Sequence, residues 1–183
     1  MKKLSVVIFS GILICSCSDS GTGSKEVVKD SASAMAAPVK MDYPYTIDHP
    51  DNWDMGSPEN TMVALSSLKA YEAGNIDECI KYVGDSINLQ FDGLDIKITK
   101  DSLKTILTKD RGNLKSLTLK MYDWESVISK DKSEEFVTLW YKQSWEDLKG
   151  KKDSLSIVDD IKVKNAKIVE ISETSRKFPA RKM

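Results

Sequence analysis

The run of residues 153–164 holds the clearest candidate for acid–base chemistry in this chain, because two carboxylates stand side by side within an alternating apolar pattern. If Leu155, Ile157, Ile161 and Val163 face a core, strand alternation turns Asp159 inward and Asp160 outward. An aspartate in apolar surroundings has a raised pKa and can act as a general base. Two alternatives stay open: a bulge that turns both carboxylates out, or a structural pair with a lysine.

Two other reactive side chains have plainer interpretations. His49 is the only histidine, and as a proton shuttle or ligand it would need partners, but no cysteine or second histidine offers a metal set. We therefore expect a surface residue in a proline-bounded turn, with neither a metal nor another cofactor. Cys79 lies at helical spacing with Ile76, Ile80 and Val83, which predicts a buried thiol.

The start of the chain has the pattern of a secretion signal. Lys2 and Lys3 precede an apolar run, residues 4–15, that is shorter than the roughly 20 residues a membrane-spanning helix needs. Its end, Ile14-Cys15-Ser16-Cys17, resembles the bacterial lipobox, which implies a signal peptide over residues 1–16 and lipid attachment at Cys17. Several acyl chains would anchor the protein stably to a membrane. Ser18, rather than an aspartate, implies the outer membrane of a bacterial cell envelope.

The remaining chain divides by composition. Residues 17–57 are rich in small residues and predict a flexible tether, although its aromatic end from Tyr43 to Trp53 is expected to lie extended against the domain. Residues 58–178 form the predicted domain, and residues 179–183 a basic tail. The 183 residues carry a formal net charge of −1, with 30% charged and 40% hydrophobic residues. This balance permits one soluble core and gives no reason to expect nucleic acid as a partner.

Helices and strands follow from caps and periodicity. Ser57-Pro58 predicts a helix start, Gly74 its end, and Asn75 and Thr99 the N-caps of two further helices. Strands are predicted at 86–92, 95–98, 114–129, 136–145, 153–164 and 167–172. In the strand 114–129 the apolar set changes face after Met121, which indicates a bulge. Helices followed by a meander predict an α+β fold with the helices on one face of the sheet.

Several short strings resemble the nuclear transport factor 2-like superfamily, in particular its SnoaL-like, polyketide cyclase-like branch. They are Leu68-Lys69-Ala70-Tyr71-Glu72-Ala73-Gly74-Asn75-Ile76-Asp77, Val83-Gly84-Asp85-Ser86-Ile87, and Ile161-Lys162-Val163-Lys164-Asn165-Ala166-Lys167-Ile168-Val169-Glu170. The resemblance implies a cone, in which a curved antiparallel sheet wraps around three helices and leaves a central pocket. Asn165-Ala166 departs from the usual Asn-Gly or Asp-Gly, and a type I′ turn at this alanine would be strained.

The resemblance also implies where a site would lie. Enzymes of the family place an acid or base inside the cone, as ketosteroid isomerase does, and here the catalytic candidates are Asp159 and Asp85. The expected pocket lining is Tyr71, Leu89, Phe91, Met121, Leu139, Tyr141, Trp145 and Asp159. The outer sheet face often forms a dimer, and Trp140, with Trp124 or Tyr122, is the expected patch for a homodimer.

Two functions follow. The favoured one is a membrane-anchored envelope lipoprotein whose cone binds a small apolar ligand or a protein partner without catalysis. The alternative is a small isomerase, dehydratase or cyclase-like enzyme that uses a buried Asp as general base.

Overall fold

The computed structural model describes residues 42–49 and 53–179. The chain divides into two units, Met1–Asp42 and Tyr43–Met183, and the fold below is that of the second. The predictions about the signal peptide, Cys17 and residues 18–41 of the tether lie outside the described residues. None of the described helices is long and apolar enough to cross a membrane.

Three helices and seven strands are present in the described part of the chain. In order they are β1 (Trp53–Met55), α1 (Pro58–Glu72), α2 (Ile76–Lys81), β2 (Val83–Phe91), β3 (Leu94–Thr99), α3 (Lys100–Gly112), β4 (Leu114–Ser129), β5 (Glu135–Asp147), β6 (Lys152–Lys164) and β7 (Lys167–Lys177). The strands form one curved, unclosed sheet in the order β1-β4-β5-β6-β7-β2-β3. Its neighbouring strands are antiparallel except β2 and β7, which are parallel. The predicted α+β cone is confirmed.

The helices begin where their capping residues predict. The Ser57, Asn75 and Thr99 side chains accept hydrogen bonds from the first-turn amides of α1, α2 and α3. The start of α1 is held further by Glu135 of β5, whose carboxylate accepts from the Ser57 amide and from the Asn60 side chain, each at 2.6 Å. These bonds fix α1 against the sheet as well as capping it.

The sheet begins five residues before the predicted domain boundary at residue 58. Strand β1 pairs with the end of β4, and the amide of Gly56 donates to the Ser126 carbonyl at 2.8 Å. A Cβ at position 56 would lie 2.0 Å from the Ser126 hydroxyl oxygen. Only glycine therefore lets the chain turn from β1 into α1 this close to β4.

The core lies between the helices and the inner face of the sheet. In β5, Val137, Leu139 and Tyr141 are buried, as the sequence predicts. Because directly opposed residues share a face, their β6 neighbours Ile157 and Ile161 join them. The buried core consists of Ala64, Ile76, Ile80, Val83, Ile87, Leu89, Leu103, Val137, Leu139, Tyr141, Ile157, Ile161, Val163 and Ile168.

A bulge in β4 separates two aromatic residues that the sequence analysis grouped together. Met121 pairs with Tyr141 and Asp123 with Trp140, so Tyr122 is the extra residue. After the bulge Trp124 pairs with Leu139 and shares its inner face, where it borders a groove beside α1. The prediction that Trp124 accompanies Trp140 on the outer face is wrong, because the bulge shifts the alternation by one residue. Self-association through Trp140 and Tyr122 stays a prediction.

The predicted strain in the last hairpin is present. Asn165 and Ala166, which join β6 to β7, have φ angles of +52° and +57°. These are the left-handed angles that a type I′ turn requires. An alanine in this region is strained by contact between its Cβ and the following carbonyl oxygen.

His49, which precedes β1 in the chain, packs against Trp53, and Trp53 in turn packs against Phe136 of β5. The Nε2 of His49 lies 3.1 Å from Glu134 Oε2, and its ring meets Trp53 edge to face. Lys162 also binds Glu134. His49 is thus half-buried in a structural contact with the domain. Tyr43, Tyr45 and Ile47 are 73%, 84% and 60% exposed, so the expectation that the whole aromatic segment lies against the domain is wrong for its first part.

Candidate functional site

A cavity of about 240 Å³ lies between the inner sheet face and the helices. Every described helix and strands β2, β5, β6 and β7 contribute to its wall, which consists of Ala64, Ser67, Leu68, Tyr71, Cys79, Phe91, Leu107, Asp110, Tyr141, Gln143, Asp159, Ile161, Ile168, Ile171 and Glu173. Most of this lining is apolar, with a small set of polar groups. That combination is typical of small-molecule sites.

Asp159 is the buried carboxyl group in this wall, as predicted. Its residue is 5% exposed, while Asp160 is exposed on the opposite face. The Tyr141 hydroxyl donates to Asp159 Oδ2 at 2.8 Å, across a diagonal of the β5–β6 pair that aromatic side chains can span. Oδ1 is also buried but has no hydrogen-bond partner among the described residues. An unsatisfied buried oxygen is unusual and needs an explanation.

The surroundings of Asp159 shift its protonation toward neutral pH. Burial, followed by repulsion from Glu173, raises its pKa from 3.8 to about 7, although the Tyr141 hydrogen bond acts in the opposite direction. Near neutral pH the carboxyl is therefore present in both forms. It can accept a proton or a hydrogen bond when ionised and donate one when protonated.

Glu173 is the second carboxyl group of the site, and the sequence analysis missed it. It lies directly opposite Asp159 in the β6–β7 register, and burial raises its pKa. The predicted last strand stopped at residue 172, whereas β7 runs to Lys177. Continuing the alternation from Ile171 would have placed Glu173 on the inner face.

The other polar groups lie around the cavity. Burial raises the pKa of Tyr71, and Asp110 adds to that shift. Asp110 is itself exposed, so the cavity reaches solvent beside it. Cys79 is buried as predicted, its thiol lies 3.4 Å from the Ser67 hydroxyl, and burial raises its pKa. A raised pKa disfavours the reactive thiolate.

Half of the eight expected pocket residues line the cavity, and the other half lie elsewhere. Those that line the cavity are Tyr71, Phe91, Tyr141 and Asp159. Leu89 and Leu139 are buried in the core without lining it. Met121 borders the groove beside α1, and Trp145 lines a polar depression near the end of β5.

Asp85, the second catalytic candidate, lies outside the cavity. The six residues of β2 from Val83 to Asn88 lie opposite only the three residues of β7 from Ile168 to Glu170. This irregularity breaks the alternation that would turn Asp85 inward, and the residue is exposed. Its placement supports no role as a buried base.

Within residues 42–49 and 53–179, no cluster of three or more histidine, cysteine, aspartate or glutamate residues could hold a metal ion. The chemistry that this part of the chain offers is hydrogen bonding and proton transfer at Asp159, Glu173 and Tyr141.

No protein-family model matches the chain, and no curated protein matches its sequence. Similar solved structures are an NTF2-like protein of unknown function from Exiguobacterium sp. 255-15 and an uncharacterised cystatin-fold protein from Novosphingobium aromaticivorans. The first has a TM-score of 0.52 and 13% identity, and the match covers 63% of this chain and 99% of that one. The second has a TM-score of 0.52 and 14% identity, and covers 66% and 99%.

A LEH-like epoxide hydrolase from M. tuberculosis is also similar, with a TM-score of 0.52, 14% identity, and coverage of 64% of this chain and 83% of that one. At such identities the likeness concerns the fold and not the activity. The domain has the NTF2-like cone fold.

Proposed function

We propose that this domain binds a small, largely apolar molecule in its central cavity and holds a polar group of that molecule at Asp159. The observation that carries the proposal is Asp159 Oδ1, which is buried in the wall of a cavity and has no hydrogen-bond partner among residues 42–49 and 53–179. A buried acceptor left unsatisfied costs about 1–3 kcal/mol. A ligand that donates a hydrogen bond to this oxygen would recover that energy.

The size of the cavity limits the ligand. An engineered apolar cavity of about 150 Å³ holds benzene, and drug-sized ligands occupy about 300 Å³ or more. The cavity here, at about 240 Å³, lies between them. We expect a single ring or a short chain with one polar group.

Methyl NMR spectroscopy tests this proposal with a set of single-ring fragments, each bearing one hydrogen-bond donor. Binding in the cavity should shift the methyl signals of Ile161, Ile168 and Ile171, which line it. Ile106 of α3 is exposed outside the cavity and serves as the control signal. Fragments that leave all three cavity signals unchanged would contradict the proposal.

We propose further that the domain is held at the cell envelope, in the outer membrane, by lipid at Cys17. Support comes from the sequence alone: a short positive start, an apolar run and the string Ile14-Cys15-Ser16-Cys17. Cys17→Ala should move the protein from the membrane to the soluble fraction, and Cys15→Ala should leave it anchored. A Cys17→Ala protein that stays in the membrane fraction would contradict this part of the proposal.

One observation favours a second candidate function, proton-transfer catalysis by Asp159. Its pKa of about 7 is the value that general acid–base catalysis needs at neutral pH. The fold also carries an enzyme, the LEH-like epoxide hydrolase of M. tuberculosis. The test is incubation of each bound fragment with the protein, followed by product analysis. Conversion that falls about 10²-fold or more in Asp159→Asn would support catalysis, and recovery of unchanged fragments would support binding alone.

A further inference from the structure

Among the described residues, the cavity wall carries carboxyl groups from three elements and no basic side chain. Asp159 comes from β6, Glu173 from β7 and Asp110 from α3, and none of the lining residues is Lys, Arg or His. Structural carboxylates in a protein interior are normally paired with a cation. Here the side-chain partner of Asp159 in the cavity is the neutral Tyr141 hydroxyl.

The two inner carboxyl groups are close neighbours. Asp159 and Glu173 are directly opposed in the β6–β7 register, which places their Cβ atoms about 5 Å apart. Like charges in this position repel each other. A positive group between them would turn that repulsion into attraction and would satisfy Asp159 Oδ1, which has no partner in the described structure.

The rest of the wall suits the body of such a ligand. Tyr71, Tyr141 and Phe91 supply aromatic surface. Aromatic rings attract cations through their quadrupole and also pack against apolar groups. Exposed Asp110 adds negative charge where the cavity reaches solvent, and so would favour entry of a cation.

We propose that the ligand of this cavity is a small primary amine in its ammonium form, with a single ring or short apolar body, held between Asp159 and Glu173. The inference rests on the proposed binding function and names the class of ligand. An ammonium group has three donors and no acceptor, so it can serve Asp159 Oδ1 and Glu173 together. An anion would meet three carboxyl groups, and a neutral donor would not offset the repulsion between the inner pair.

Amine binding should release protons. Burial raises the pKa of Asp159 and of Glu173, and an ammonium ion beside them would favour their ionised forms. The titratable groups that line the cavity with Asp159 are Tyr141, Glu173, Tyr71, Cys79 and Asp110. Asp160 is the next residue of the same strand and lies on its outer face. We expect Asp159, whose pKa is about 7, to account for the proton release near neutral pH.

Calorimetry at pH 8 with benzylamine, benzyl alcohol and benzoate tests the inference, because the three probes share a ring and differ in charge. Benzylamine should bind about tenfold or more tightly than benzyl alcohol, and benzoate more weakly than either. Equal or tighter binding of benzyl alcohol would overturn the inference and leave the binding function standing. Binding of none of the three would overturn both.

Single substitutions test which carboxyl groups are responsible for the preference for benzylamine. Asp159→Asn and Glu173→Gln should each weaken benzylamine binding about tenfold or more with little change for benzyl alcohol, and Asp160→Asn, on the outer face, should change neither. Between pH 6 and 8 the affinity of the wild-type protein for benzylamine should rise, with proton release detected in buffers of different ionisation enthalpy. A benzylamine affinity that is independent of pH and of both inner carboxyl groups would overturn the inference.

Discussion

The two faces of strand β6 carry the same type of residue at neighbouring positions, Asp159 inside and Asp160 outside. On the outer face, the Thr138 hydroxyl donates to Asp160 Oδ1 at 2.6 Å in contact with solvent. On the inner face, Asp159 meets the Tyr141 hydroxyl, the carboxyl group of Glu173 and an apolar wall. Water can solvate the first carboxylate fully, whereas the second depends on what the cavity holds.

The comparison shows that environment, rather than residue type, makes a carboxyl group a functional candidate. A step of one residue along a strand moves a side chain from a polar surface to the interior. Removal from water disfavours the charged form and raises the pKa, and a nearby like charge adds to the effect. Perturbed groups in a cleft are candidates for function for this reason.

Asp159→Asn should give the largest change in the free energy of unfolding. The pKa of Asp159 is raised from 3.8 to about 7 in the folded protein. Between these two pH values the folded protein therefore binds more protons than the unfolded protein, and it loses stability as the pH rises. Full ionisation would cost about 4 kcal/mol. The variant should therefore exceed the wild-type stability by up to that amount above pH 7 and approach it near pH 4, as measured by urea unfolding.

Asp160→Asn is the matched control for that experiment. Its carboxyl group is exposed and its partner is Thr138, so the variant should keep the wild-type dependence of stability on pH. Parallel stability curves for wild type and Asp159→Asn from pH 4 to 8 would contradict the difference between the two faces.

Leu139→Ala should give the next largest effect. Leu139 is 0% exposed in the core of β5, and truncation of such a residue costs about 3 kcal/mol from lost burial and the cavity left behind. Thr138→Ala, one residue earlier on the outer face, should cost about 1 kcal/mol or less. Equal losses in denaturant unfolding would show that the two faces of β5 do not differ as described.

Ala166→Gly should give the smallest change, an increase in stability of roughly 0.5–1 kcal/mol. The turn at Asn165 and Ala166 starts the β6–β7 register that places Glu173 opposite Asp159, and the φ angle of Ala166 is +57°. Gly150, with a φ angle of +83° and open space around it, provides the reverse change. Gly150→Ala should lose a similar amount in thermal unfolding, and a loss in both variants would contradict the account of strain.

Local patterns predicted much of the fold. Ser57, Asn75 and Thr99 cap their helices because a short polar side chain before a helical period satisfies free amides wherever it occurs. Alternation in β5 and β6 predicted the buried faces and the inward direction of Asp159. These signals arise from neighbours in sequence, so they need no knowledge of the rest of the chain.

Predictions were wrong or incomplete where pairing between strands distant in sequence decides the position of a side chain. Trp124 lies on the inner face because of the bulge at Tyr122. Asp85 is exposed outside the cavity, at the point where the pairing of β2 with β7 is irregular. Leu89 and Leu139 became core rather than cavity wall. Which apolar residue borders a void depends on how three helices pack over a curved sheet, and this cannot be derived from one strand alone.

The sequence by itself determined the helices and six of the seven described strands, because caps and periodicity act over a few residues. Alternation also predicted the inner position of Asp159, and the structure decided between it and the two alternatives of a bulge or a lysine pair. Tertiary structure alone decided that Asp159 lies with Tyr141 and Glu173 around an open volume. It also decided that one carboxylate oxygen lies there without a partner in the described part of the chain. The physical reason is that burial and the raised pKa depend on the summed surroundings of a group. Tyr141, Asp159 and Glu173 lie on three different strands, and only the pairing of β5, β6 and β7 brings them together.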